Sequence, residues 1–149
     1  MDQDTFRSTY REMNERICAF EKSLLSGKCN CSQAKKICIA EREGIHCCSD
    51  EANTQCIELL EKLRHQARFA LKSYNDNEVL PHAKAMRLQI GGLRGLHLAI
   101  YPSLPVPDTI EDAFGLISQA KDMFRGLDNL PFQTLIKQVS AYEGRRRLR

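Results

Sequence analysis

Cys29-Asn-Cys31-Ser-Gln-Ala-Lys-Lys-Ile-Cys38-Ile-Ala-Glu-Arg-Glu43-Gly44-Ile-His46-Cys47-Cys48 is the stretch on which the fold turns. Ser32 can cap a helix and Gly44 can end one, so the reading favoured here is a helix over Gln33–Glu43. Such a helix is roughly 16 Å long at 1.5 Å per residue. It would hold Cys29 and Cys31 at one end and Cys47 and Cys48 at the other, too far apart for one metal centre. Two arrangements then remain. Either the helix is short or bent and its two links fold together around one centre, or three antiparallel helices bring Cys18, Cys38 and Cys56 to one level. Whether this segment is a long, straight helix decides which thiols can meet.

Working outward, residues 5–25 read as one helix, because Phe6, Tyr10, Met13, Ile17, Phe20 and Leu24 recur at helical spacing. Asp4 suits its start and Gly27 its stop. Downstream, Ser49 or Asp50 caps a helix running to about Tyr74, with Ala52, Cys56, Leu59, Leu63, Ala67 and Leu71 on its apolar stripe. Asn75-Asp-Asn77 and Pro81 form a linker. Residues 82–100 fit a helix through Met86, Ile90, Leu93 and Leu96, although Met86, Leu88 and Ile90 also alternate as in a strand. Gly91 and Gly95 would give that helix a small-residue side against which a neighbour packs closely. Pro102, Pro105 and Pro107 stiffen a loop. Asp108 is expected to cap a fifth helix, with Ile110, Ala113, Phe114, Ile117 and Phe124 inward. Pro131 opens a sixth, with Phe132, Leu135, Ile136 and Val139 inward.

The predicted class is therefore all-α: a single-domain bundle of five or six helices over residues 1–144, followed by a basic tail at 145–149. Its Cys-rich half (1–74) would be a helical trio, and its Cys-free half (82–144) would share the core. A chain of 149 residues can bury such a core without covalent staples. No apolar run is long enough to span a membrane. The charged start Met1-Asp-Gln-Asp-Thr-Phe-Arg lacks the apolar stretch of a secretory signal, which points to a reducing cytoplasm.

The net charge is +3. Arg145, Arg146, Arg147 and Arg149 account for it, since residues 1–144 carry 18 basic and 19 acidic side chains. The body has no basic face announced by its composition, so nucleic acid is not the expected partner. The tail arginines Arg145, Arg146 and Arg147 are the candidate contacts for a protein partner, against the plainer reading of a solvated terminus.

All seven cysteines lie between Cys18 and Cys56. Cysteine used only as a small core residue would be scattered, so this clustering points to metal or redox chemistry. Thiolates suit an iron–sulfur cluster, zinc or copper. No Cys-x2-Cys knuckle occurs, so the spacing does not choose among them. The candidate ligands are Cys29, Cys31, Cys38, Cys47, Cys48 and Cys56. Cys29, Cys31, Cys47 and Cys48 sit in links, where plain core packing is less natural. Cys18, Cys38 and Cys56 lie on or beside apolar stripes, where core packing is at least as natural as ligation. His46 could add a nitrogen ligand, and His82 suits a surface or capping role.

No Walker-type loop, nucleophile elbow or His-Glu-x-x-His motif is present. The expected function is thus an iron–sulfur protein acting in electron transfer, or as an accessory to a larger enzyme, rather than an enzyme itself. The alternatives are a zinc- or copper-binding interaction or metal-transfer module, and a metal-free helical adaptor.

Overall fold

The computed structural model describes residues 3–144. In chain order it places α1 (Gln3–Met13), α2 (Glu21–Leu25), β1 (Ala34–Ile39), β2 (Arg42–Cys47), α3 (Asp50–Gln66), α4 (Arg68–Leu71), α5 (His82–Ile100), α6 (Ala113–Phe124), a 3-10 turn (Leu127–Asn129) and α7 (Phe132–Ala141). The Arg145–Arg147 tail lies outside the described residues.

The expected all-α class does not hold. The segment read as the second helix is an antiparallel hairpin, in register from Ala34↔Cys47 to Ile39↔Arg42. Its two-residue loop is Ala40-Glu41, with φ of 50° and 68°. Tight hairpins need that left-handed backbone, and it is normally supplied by Asn-Gly or Asp-Gly. Burial explains why the strands win. Ile39 and Ile45 are both buried, one on each face of the ribbon, where β-branched side chains fit a pleated surface well. Gly44 is not a helix stop. It lies under the Tyr10 ring, with which any Cβ at position 44 would collide.

The single helix expected over residues 5–25 is interrupted for the same reason. Residues Arg16–Cys18 run along the outer edge of β2 instead of continuing the helix. The Cys18 amide donates to the Ile45 carbonyl at 3.0 Å, and the Cys47 amide donates to Arg16 at 2.8 Å. Asn14, almost fully buried, secures the junction. Its Nδ2 donates to the Ile45 carbonyl at 3.0 Å and to Tyr10 Oη at 2.9 Å, while its Oδ1 pairs with His46 Nδ1 at 2.8 Å. Glu21 adds a carboxylate that accepts from the Ile45 amide at 2.9 Å and from the Tyr10 hydroxyl.

The helix begun at Ser49 is present, and the Ser49 hydroxyl accepts from the Ala52 amide at 3.1 Å. It pauses at Ala67, so the expected run to Tyr74 becomes α3 and a short α4 ended by Lys72 in the left-handed conformation. Residues 82–100 are helical, resolving the earlier ambiguity. α5 is the spine of the fold, burying Leu88, Ile90, Leu93 and Leu96. Its Gly91 and Gly95 face α7 so closely that a Cβ would come within 2.5 Å of Val139 Cα and 2.6 Å of Leu135 Cα. α6 begins at Ala113 rather than after Asp108, because residues 110–113 are drawn into extended pairing with Cys29 and Asn30. One core cluster joins Phe20, Cys29 and Cys56 to Leu59, Leu93, Leu96, Ile117, Leu135 and Val139, so both halves share it.

Candidate thiol site

The hairpin solves the distance problem that a helix would have created. Because the chain doubles back, Cys47 at the end of β2 returns opposite Ala34, three residues after Cys31. The Cys48 amide donates to the Gln33 carbonyl at 2.8 Å, closing the hairpin base. The edge pairing of Arg16–Cys18 with β2 delivers Cys18 to the same end. Cys29 forms a parallel bridge with Ile110. Cys56 comes from the buried face of α3. Five cysteines thus approach one region from four places in the chain, Cys29 and Cys31 sharing a loop.

Cys18, Cys31, Cys47 and Cys56 line one small gap of about 10 Å³, together with Ala19, Phe20, Leu24, Ala52 and Ala113. That is close to the volume swept by a single water-sized probe. Cys29 is fully buried and lies beside Cys18, Cys31 and Cys56. Two sets of four thiols act on one another electrostatically: Cys18, Cys31, Cys47 and Cys56, or Cys18, Cys29, Cys31 and Cys56. Cys18, Cys31 and Cys56 belong to both. All seven cysteines are free thiols.

The remaining two candidates stand apart. Cys38 pairs with Glu43 near the hairpin tip, four ladder positions from the Ala34↔Cys47 pair, or about 13 Å at the strand rise. It is exposed, as is Cys48. Successive side chains of an extended chain point to opposite sides, so Cys48 faces away when Cys47 faces in. His46 is committed to Asn14, and His82 Nδ1 lies 3.4 Å from Lys22 Nζ at the surface. No group of three or more His, Cys, Asp and Glu side chains among the described residues is already arranged to hold a metal ion. The thiols surround the gap without converging on a point.

Electrostatics around the gap are those of buried, mutually repelling acids. Burial, then the neighbouring thiols, pushes the thiols of Cys29 and Cys56 up to about 12. Cys18 is also pushed up to about 12, mainly by burial, although the Phe20 amide donates to its sulfur and opposes the rise. Cys31 is raised by burial too, against opposing hydrogen bonds from the amides of Gln33 and Phe114. Cys18 and Cys31 thus share a local pattern in which the amide two residues on points at the sulfur. That arrangement favours the anionic form once a cation offsets the desolvation.

The second half of the chain also reaches the site. Asp112 Oδ1 accepts from the Ser32 amide at 2.9 Å and the Ser32 hydroxyl at 3.1 Å. Burial would raise the Asp112 carboxyl, but the amides of Ser32 and Gly115, the Ser32 hydroxyl and the Cys31 thiol hold it below the usual carboxylate range. The cysteine content signals this region in the sequence. Asp112 and Phe114 carry no such signal, because they arrive across some 80 residues of chain.

Among known proteins, no family model, curated protein or solved structure matches the chain. No helix of the described residues is long and apolar enough to cross a membrane.

Proposed function

We propose that the chain is a thiolate metalloprotein whose centre is drawn from Cys18, Cys29, Cys31, Cys47 and Cys56, with an iron–sulfur cluster as its group. The observation that carries this is the gathering of five free thiols from four segments around one buried region, where local backbone amides oppose the rise that burial gives Cys18 and Cys31. Core packing alone does not require five cysteines at one place. Rotation of the cysteine side chains between staggered wells is the motion that would bring their sulfurs onto a common centre. Bound metal would supply the positive charge that this set of thiols lacks.

The gap is small and nearly apolar, so either a cluster or a single ion requires the thiols around it to rearrange. Electron transfer needs no substrate access, and the partly exposed Cys18 and Cys31 offer an edge toward a partner. The proposed role is therefore electron transfer, or service to a larger enzyme, in a reducing compartment such as the cytoplasm. A zinc or copper centre is the second reading. The size of the gap favours it, because a single ion needs less rearrangement than a cluster.

Anaerobic purification followed by absorption spectroscopy and iron, sulfide, zinc and copper analysis separates these readings. Iron with acid-labile sulfide supports the first, and zinc or copper without sulfide supports the second. Protein that stays metal-free, even after anaerobic reconstitution with each metal, refutes both.

A further inference from the structure

We propose that the cleft between the C-terminal end of α5 and the start of α6 binds a small organic cation, an ammonium group on an apolar body. No cysteine lines this cleft, so the site is independent of what the thiols hold.

The cleft has a volume of about 670 Å³, within the roughly 300–1,000 Å³ of small-molecule sites. Its lining includes Ile110 and Leu116, both buried, which supply an apolar floor. The loop along one side carries Pro105 and Pro107, whose fixed φ leaves less freedom to lose on binding. Two rings stand on the α5 side. The His97 and Tyr101 centroids are 5.1 Å apart, and Gln119 Nε2 of α6 donates to the Tyr101 hydroxyl at 2.6 Å. That bond pins the Tyr101 ring, and an aromatic face attracts a cation through its quadrupole. His97 Nδ1 is buried without a hydrogen-bond partner. Unsatisfied buried polar atoms are few in native folds, and each one asks for a role.

Charge decides the sign of the ligand. Glu111 and Asp112 line the cleft, and no Lys or Arg of the described residues does. Asp112 Oδ1 is fixed by the Ser32 amide at 2.9 Å and the Ser32 hydroxyl at 3.1 Å, both neutral donors. Glu111 is exposed and has no hydrogen bond or ion pair among the described residues. Arg94, three residues before His97, is turned elsewhere: its Nη2 donates to the Asp108 carbonyl at 3.2 Å, and its guanidinium lies over the Tyr142 ring. An anion would therefore meet two carboxylates with no cation to offset them, whereas an ammonium group meets both carboxylates and a fixed aromatic face.

Probes that share one phenyl body test the sign: benzyltrimethylammonium, benzyl alcohol and phenylacetate, each titrated into the full chain and followed by amide shifts in two-dimensional NMR. Benzyltrimethylammonium is expected to bind most tightly, with its shifts centred on Tyr101, Ile110, Leu116 and Gln119, and phenylacetate least. Glu111→Gln removes an exposed charge and should weaken the cation about 2–5-fold without changing benzyl alcohol. That difference should vanish in about 1 M salt, where screening acts within about 3 Å. Tyr101→Leu should also cost the cation about 2–5-fold, while Tyr101→Phe, which keeps the ring, stays close to the parent. If Tyr101→Leu fails to fold, Glu111→Gln and the order of the probes still decide. Equal affinity for the probes, tighter binding of phenylacetate, shifts confined to other parts of the fold, or a Glu111→Gln variant that binds the cation like the parent overturns the inference.

Discussion

Alanine placed at Gly91, Gly92 and Gly95 should separate three glycines that sit within five residues of one helix. A new Cβ at Gly91 would lie 2.5 Å from Val139 Cα and 2.8 Å from the Gln138 carbonyl oxygen, both backbone atoms. At Gly95 it would lie 2.6 Å from Leu135 Cα. Each is about 1 Å short of ordinary carbon contact, and backbone cannot turn aside, so α5 and α7 must move apart along their whole seam. Overpacking of this kind costs about 1–3 kcal/mol, against a gain of about 1 kcal/mol from replacing glycine within a helix. Both clashes are with backbone, so the upper part of that range applies, about 2–3 kcal/mol, and the expected net loss is about 1–2 kcal/mol for Gly91→Ala and for Gly95→Ala.

Gly92 differs in what it faces. Its Cβ would meet only Leu63 Cδ2, the far end of a side chain, at 2.5 Å. A rotamer adjustment there costs about 0.5–1.5 kcal/mol, which the helix gain nearly cancels. The double variant Gly91→Ala/Gly95→Ala should cost less than the sum of its parts, because one separation of the helices relieves both clashes. Urea unfolding followed by circular dichroism reads these differences as midpoint shifts at constant slope. The reasoning is refuted if Gly91→Ala and Gly95→Ala match the parent or exceed it, or if Gly92→Ala is the most damaging of the three.

Other outcomes follow from the thiols and their supports. Cys31→Ser and Cys56→Ser should each abolish metal content after reconstitution, whereas Cys38→Ser and Cys48→Ser should leave it unchanged by metal analysis. Metal-free protein should lose stability in alkali. Burial lifts Cys18, Cys29 and Cys56 from 9.0 to about 12, so unfolded thiols ionise first, and stability intact below pH 9 should fall between pH 9 and 12. Denaturant midpoints across that range, compared with a Cys18→Ala/Cys29→Ala variant showing a shallower fall, check the assignment. Asn14→Ala should cost about 1–3 kcal/mol, since it orphans partners of a buried amide at the α1–β2 junction; thermal unfolding measures it.

Legibility in the sequence followed the range of the interactions involved. α3 could be located because Ser49 and the stripe through Cys56, Leu59 and Leu63 are local signals. The α5 glycines were also readable, since a small-residue face implies close packing wherever the partner lies. The hairpin was not. Ala40-Glu41 carries none of the usual turn chemistry, Lys35-Lys36 breaks alternation, and Ser32 with Gly44 imitates helix ends. Only the buried Ile39 and Ile45, and Tyr10 over Gly44, select strands, and those contacts are tertiary. The same blindness split the helix at 5–25, because its stripe continues through Ile17 although Arg16–Cys18 pairs with β2. For the candidate site, composition named Cys29, Cys31, Cys47 and Cys56, which the fold brings to one region. It could not distinguish them from Cys38 and Cys48, and it placed Cys18 with Cys38 rather than with Cys47.

The bridge between Cys29 and Ile110 also sets a schedule. A chain made from its N-terminus has all seven thiols before any residue that straps them exists. From Cys56 to Phe114 the ribosome adds 58 residues, or roughly 3–12 s of synthesis at ordinary rates. During that interval the hairpin can form within microseconds, yet the cysteine loop beside it still lacks its cover. The nascent protein therefore passes through a period in which Cys29 and Cys31 are more accessible to oxidants, chelators and metal donors than at any time after folding.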